Sequence, residues 1–313
     1  MTCTCGHLHA YAKGEKKGPQ DPTHTLSLRN SFVAEMRKRF KGLNAAIQLE
    51  ILRNDTTGLV KDLLNSTTPY PFTRSSEKIS EFLKWLQRQI DDKILTVSVH
   101  PQLGQAIEAE WADLYIESAY TQGVRRAITE MRRSGYSMAP MSVQQAVQAV
   151  WLSPIHADRV GVLFTRVFTD LQGITNDMSS QIARILAQGM IDGKNPRELA
   201  SAIASVILTG GKTEYAKKIV GNSKSALYRG ELIARTEIIR AHHLGMIQEY
   251  RNFGVAGVRV LAEWKTAGDD RVCTECASLE GKVFTLDEIE PLIPLHPLCR
   301  CIALPTVIEH EYI

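Results

Sequence analysis

Six cysteines stand at positions 3, 5, 273, 276, 299 and 301, with more than 260 cysteine-free residues between the two groups. A disulfide scaffold spreads its cysteines through the fold it staples, whereas two tight clusters favour metal ligation. In "DRVCTECASLEG", Cys273 and Cys276 form a C-x-x-C turn. Such a turn brings two sulfurs to one side of a knuckle with backbone amides facing them, the half-site that tetrahedral zinc uses. In "PLHPLCRC", residues 294 to 301, Cys299 and Cys301 are two apart and share a face if that segment is extended. They can supply the second half-site, or His296 can replace one of them, so five residues compete for four positions around a structural zinc ion.

Other readings of these cysteines stay open. A redox C-x-x-C is expected where a strand feeds a helix in a thioredoxin-like unit, and it needs no second cluster. Disulfides or simply buried thiols are a further alternative. A catalytic zinc keeps one position open to water, and no H-E-x-x-H accompanies this pattern. The last stretch of chain is poor in apolar residues, so a metal there adds stability that a small core cannot supply. At the N-terminus, Cys3, Cys5, His7 and His9 alternate in "CTCGHLH". They form a second metal set if extended, although so polar a segment reads first as a flexible arm.

A length of 313 residues exceeds what one core usually organises, and implies two domains or one large domain with a small appendix. With 44% hydrophobic and 23% charged residues, the chain reads as soluble and globular. A net charge of +3 gives weak non-specific attraction to nucleic acid at most. The densest basic run, "MRKRFK" from Met36 to Lys41, reads as a solvated helix face. No stretch approaches the ~18 to 20 apolar residues of a membrane span, and the N-terminus has no apolar leader segment, so synthesis and retention in the cytoplasm are expected.

Residues 1–25, rich in Gly, Lys and Pro, read as an extended arm. A helical stripe begins at Leu26 with Phe32, Met36, Phe40, Leu43 and Ile47, and "STTPYPF" at 66 to 72 interrupts it. Ile79, Phe82, Leu83, Leu86 and Ile90 mark a second helix behind Ser75 and Ser76. Further helices are predicted from about 102 to 133, closing on Gly135, and then over 142 to 151, 155 to 172 and 177 to 191. "NPRE" gives the best start signal, with Asn195 as cap, Pro196 in the first turn and Glu198 completing a capping box. A last long helix covers about 225 to 253, and "VRVLAEWK", 258 to 265, has the β-branched and aromatic character of a strand. The expected fold class is therefore mainly α: an arm at 1–25, a multi-helix body at 26–254 and a small C-terminal α+β, zinc-knuckle-like domain at 255–313.

Catalytic readings are thin. Arg235 and Glu237 suggest an ADP-ribosyltransferase-like pair, but residues two apart on a helix point to different sides, whereas Glu237 and Arg240 can pair. His243 shares a stripe with Leu232, Ile239 and Tyr250 and reads as a core or domain-interface histidine. Asp269 and Asp270 beside a metal knuckle invite a metal-dependent nuclease reading; the simpler one is a turn whose aspartates bind local amides. Phosphate-loop, dinucleotide and nucleophile-elbow motifs are absent.

In combination, "IARTE", "EWKTAGDDRVCTEC", "LEGKVF" and "PLHPLCRC" resemble the phage head morphogenesis family typified by protein F of phage Mu, over roughly residues 155 to 305. The family pattern falls on Arg235, Thr236 and Glu237, on Trp264, on Asp269, Arg271, Cys273 and Cys276, and on His296, Pro297, Cys299, Arg300 and Cys301. The Cys and His arm lies outside it. The resemblance implies a non-enzymatic, low-copy minor head protein of the virion, at the portal vertex and capsid interior, made in the host cytoplasm. Its partners would be portal protein and major capsid or scaffold protein, with packaged DNA as a non-specific contact and ejection with the genome as a further role. Some relatives carry toxin domains; with the sequence given ending at Ile313, none is expected here. In this reading zinc holds the small domain folded, while Arg235, Glu237, Asp269 and Arg271 brace it. An enzyme of either kind named for those residues and a DNA-binding module are the alternatives.

Overall fold

The computed structural model describes residues 20–54, 75–99, 108–136, 142–255 and 258–310. Among these, ten α-helices dominate: α1 (Leu26–Leu49), α2 (Ser75–Lys93), α3 (Asp113–Arg133), α4 (Val143–Trp151), α5 (Pro154–Ile191), α6 (Pro196–Ala204), α7 (Glu214–Val220), α8 (Ala226–Val255), α9 (Thr274–Ala277) and α10 (Leu286–Ile289). A two-stranded antiparallel ribbon joins β1 (Val97–Val99) to β2 (Glu108–Glu110). A three-stranded antiparallel sheet has the order β4-β3-β5, from β3 (Val258–Lys265), β4 (Val283–Phe284) and β5 (Ile302–His310). The chain is thus mainly helical with a small C-terminal α+β region, as its periodicity predicts. None of the described helices is long and apolar enough to cross a membrane.

Two compact units emerge. Among the described residues, one gathers those up to Phe32, within Ala112–Arg166 and from Ala234 onward; the other gathers those within Val33–Trp111 and Val167–Ile233. In the second unit the α1 stripe of Met36, Phe40, Leu43 and Ile47 is fully buried, as are Leu86 and Ile90 of α2. Gly230 lets α8 approach α1, because a Cβ there would lie 2.9 Å from the Met36 sulfur. The basic run is a helix face: Arg37 forks onto Glu231, and Arg39 pairs with Glu35 while lying 4.2 Å over the Trp111 ring. Helix α6 starts as its sequence dictates, since Asn195 accepts from the Glu198 amide and Glu198 accepts from the Asn195 amide.

Three expectations need correction. The helix predicted from about 102 begins only at Asp113, because Glu108–Glu110 pairs as a strand with Val97–Val99. Residues 155 to 191 form one helix rather than two: Val167, Leu171, Ile174, Met178, Ile182 and Ile185 keep one buried stripe across residues 173 to 176, between the two expected helices. The described part of the arm, residues 20 to 25, is a turn docked on the fold, with Thr23 and Thr25 buried.

In the first unit α3 and α8 cross with their backbones in contact at Gly123 and Gly245. The C-terminal segment shares their core: Ala127 and Met131 of α3 and Ile239, Met246, Ile247 and Tyr250 of α8 pack with Val258, Trp264, Ile289, Ile302 and Ala303. A buried polar chain runs beside them. Asn252 Nδ2 donates to Glu249 Oε2 at 2.9 Å and to His156 Nε2 at 3.2 Å, so the network assigns the imidazole proton to Nδ1, which donates to the Tyr120 oxygen at 2.8 Å.

Burial pushes the Glu249 carboxyl up to about 7 and the His156 imidazole down to about 4. Burial likewise lowers His242 to about 3 and His243 to about 4. The depressed histidines give stability that is present above their ordinary value and lost as pH falls through about 4. The raised carboxyl gives stability that is present below its ordinary value of 4.5 and lost as pH rises through about 7. Glu249→Gln, which keeps the acceptor for Asn252, is therefore expected to leave stability unchanged near pH 4. At pH 8 it should raise stability by up to about 3 kcal/mol. Urea unfolding at the two pH values checks this.

Candidate metal centre

Strand pairing brings the cysteines together. Lys265 faces Ile302 and Trp264 faces Ala303, so the segment leaving β3 and the segment entering β5 lie side by side. The chain leaves β3 through Gly268, at φ 65°, a left-handed conformation that glycine adopts without strain. It then places Cys273 at the start of α9, where its sulfur accepts from the Cys276 amide at 3.4 Å. On the other side, Cys299 N donates to His296 O at 3.1 Å, closing a tight turn through Leu298, which itself has φ 65°.

Two overlapping groups result. Cys273, Cys276 and His296 offer ligand atoms within 4.8 Å of one another, and so do Cys276, Cys299 and Cys301; Cys276 belongs to both. His296 Nε2 lies 3.1 Å from both the Cys273 and Cys276 sulfurs, and the Cys276 and Cys299 sulfurs are 3.9 Å apart. The four distal cysteines are unbridged, and 3.9 Å is far beyond the ~2.05 Å of a disulfide. It matches the roughly 3.8 Å edge of a tetrahedron with metal–sulfur bonds of about 2.3 Å. The imidazole is oriented for ligation as well. Its Nδ1 lies 2.8 Å from the Pro297 carbonyl and so carries the proton, which leaves a lone pair on Nε2 directed at the sulfurs.

Cys276, Cys299 and Cys301 are buried and Cys273 is half-buried. The hydrogen bond with Cys299, contact with Cys301 and burial all push the Cys276 thiol up, whereas the bonds from Cys276 and Cys301 bring Cys299 down. Sulfurs this close cannot all ionise beside one another unless a cation joins them. The donor set, sulfur and imidazole nitrogen at short mutual distances, fits a soft or borderline metal ion.

The surrounding residues sort differently from the sequence reading. Asp269 is buried and forks onto Arg300, with Oδ2 to Nη1 and Oδ1 to Nη2 both at 2.5 Å. It also accepts from the amides of Arg271 and Gln20, each at 3.1 Å. Burial alone would raise its carboxyl; the bonds from Arg300 and the two amides outweigh burial and hold it well below the usual carboxylate range. Arg271 is the lesser partner, mostly exposed and 3.2 Å away. Glu237 is buried but engages Arg166 of α5 and Arg240, so it ties α8 to α5 rather than to the cysteine turn. Arg235 makes no ion pair among the described residues. The direct link from "ARTE" is Thr236, whose hydroxyl accepts from the Leu298 amide at 3.2 Å. Thr236 and Arg300 both stand in the quoted motifs, yet their bonds span 62 and 31 residues and leave no local signal. His243 is a core histidine, its Nε2 bonded to the Ile289 carbonyl. Cys3, Cys5, His7 and His9 lie outside the described residues.

Residues 180–304 match the family described as Phage Mu protein F like protein. The match takes in both cysteine pairs, His296 and the "ARTE" segment. No curated protein and no solved structure matches the chain.

Proposed function

From the membership of residues 180–304 in the Phage Mu protein F like family, a family of phage head morphogenesis proteins, we propose that this chain is a minor head protein. It acts as a low-copy virion component at the portal vertex, assembled in the host cytoplasm, with portal protein and major capsid or scaffold protein as its partners. Contact with packaged DNA and release with the genome extend the same role. The work is structural: the Glu237 carboxylate that an ADP-ribosylating pair would require is taken up by two guanidinium groups.

The observation that carries the site's part in this role is the convergence of Cys273, Cys276, His296, Cys299 and Cys301. Four of these five, His296 among them by its orientation, hold one structural zinc ion, and the ion fixes the ends of β3 and β5 to each other. The division into an arm at 1–25, a body at 26–254 and a small domain at 255–313 is one of roles, since the core packing runs across Val255.

Heads purified from the phage that encodes the chain are expected to contain it at a few copies per particle, with loss of the protein leaving heads defective. Heads that lack it and assemble normally without it overturn the proposal.

A further inference from the structure

Arg300 stands between two cysteines of the cluster, and Asp269 stands four residues before Cys273. Their fork therefore joins one half of the Cys/His cluster to the other. Into that fork is set the backbone of Gln20, gripped from both sides. Its N–H donates to Asp269 Oδ2 at 3.1 Å and its carbonyl accepts from Arg300 Nη1 at 3.2 Å. The grip exists only while the two half-sites lie together.

Residues 21 to 29 carry the hold into α1. The Asp21 carboxylate accepts from the Leu26 amide at 2.7 Å, which serves a first-turn donor of the helix, and from Arg29 Nη2 at 2.6 Å. Thr23 and Thr25 are buried with their hydroxyls 2.8 Å apart. A chain of bonds thus leads from the cysteine turn through Arg300, Asp269, Gln20 and Asp21 to the N-terminus of α1.

We propose that metal bound by the Cys/His cluster latches the N-terminal segment at Gln20, through the Asp269–Arg300 fork, and that loss of the metal releases residues 20 to 25. This rests on the zinc reading of the cluster. The ion holds the backbone next to Arg300 through a flanking cysteine sulfur and ties it to the C-x-x-C turn that follows Asp269. When the half-sites part, Asp269 and Arg300 separate and both bonds to Gln20 go together. The device makes the docking of residues 20 to 25 depend on metal loading.

Hydrogen exchange of the full-length protein, zinc-loaded and after chelation, with metal content measured in parallel, tests the latch. Amides of residues 20 to 25 are expected to exchange at least about tenfold faster after chelation, while those of α2 stay unchanged. Arg300→Gln guards against general unfolding of the stripped protein: it should retain zinc at the wild-type level and still show fast exchange at 20 to 25. Zinc removed with unchanged exchange there overturns the latch alone. So does protection that persists in Arg300→Gln. A protein that binds no zinc overturns the latch together with the metal reading, and the metal content tells the two failures apart.

Discussion

Cys276→Ser is expected to abolish zinc binding and to remove more than about 3 kcal/mol of stability, because Cys276 is the one sulfur common to both ligand groups. The residue is also part of the core that contains Trp264, Tyr250, Ile289 and Ile302, so its loss is felt beyond the turn. A chelator separates metal from packing. Wild-type protein should lose a comparable amount of stability on chelation, and the Cys276→Ser protein should lose nothing further. Thermal unfolding followed with metal analysis reads both effects. A variant that melts like the wild type, with stoichiometric zinc, shows that Cys276 is a buried thiol and not a ligand.

The second large effect lies in the α3–α8 crossing. A Cβ on Gly123 would sit 1.9 Å from the His242 carbonyl oxygen, and one on Gly245 would sit 2.3 Å from the Tyr120 carbonyl oxygen. Both clashes are with helical backbone, which cannot rotate away as a side chain can. Gly123→Ala and Gly245→Ala are each expected to cost at least about 3 kcal/mol, at the upper end of overpacking penalties. Gly173→Ala is the control, since nothing lies within 4 Å of its Cβ position on an exposed face of α5. There the better helix former should stabilise the protein by about 0.5 to 1 kcal/mol. Denaturant unfolding of the three variants gives the comparison, and similar values for all three would mean that the helices do not pack through these glycines.

Some of this fold is legible from local chemistry. The stripes of α1 and α2, the Asn195 capping box and the β-branched run of β3 each depend on neighbours within a few residues, and each element forms where its pattern lies. The cysteine cluster is legible for a similar reason, because a C-x-x-C turn and a short proline-fenced turn are local objects. Their meeting is not local, since it depends on the pairing of Lys265 with Ile302. Failures follow the same line. The continuity of α5 through Gly173 and Asn176 is decided by burial of Ile174 and Met178, not by propensity. The reading built on the resemblance makes charged residues the braces, whereas a contact from "ARTE" to the cysteine turn is the hydroxyl of Thr236, and Arg300 rather than Arg271 is the main partner of Asp269.

The contact between Gln20 and Arg300 joins residues 280 apart. Closing a loop of that length costs only slightly more chain entropy than closing one half as long, but the search is slow, and no part of it can begin until both ends exist. The first unit bonds Gln20 to Asp269 and Arg300, so its N-terminal turn gains these partners only after the chain between has been made. Residues 33 to 111 and 167 to 233 are all made before the contact at Gln20 can close.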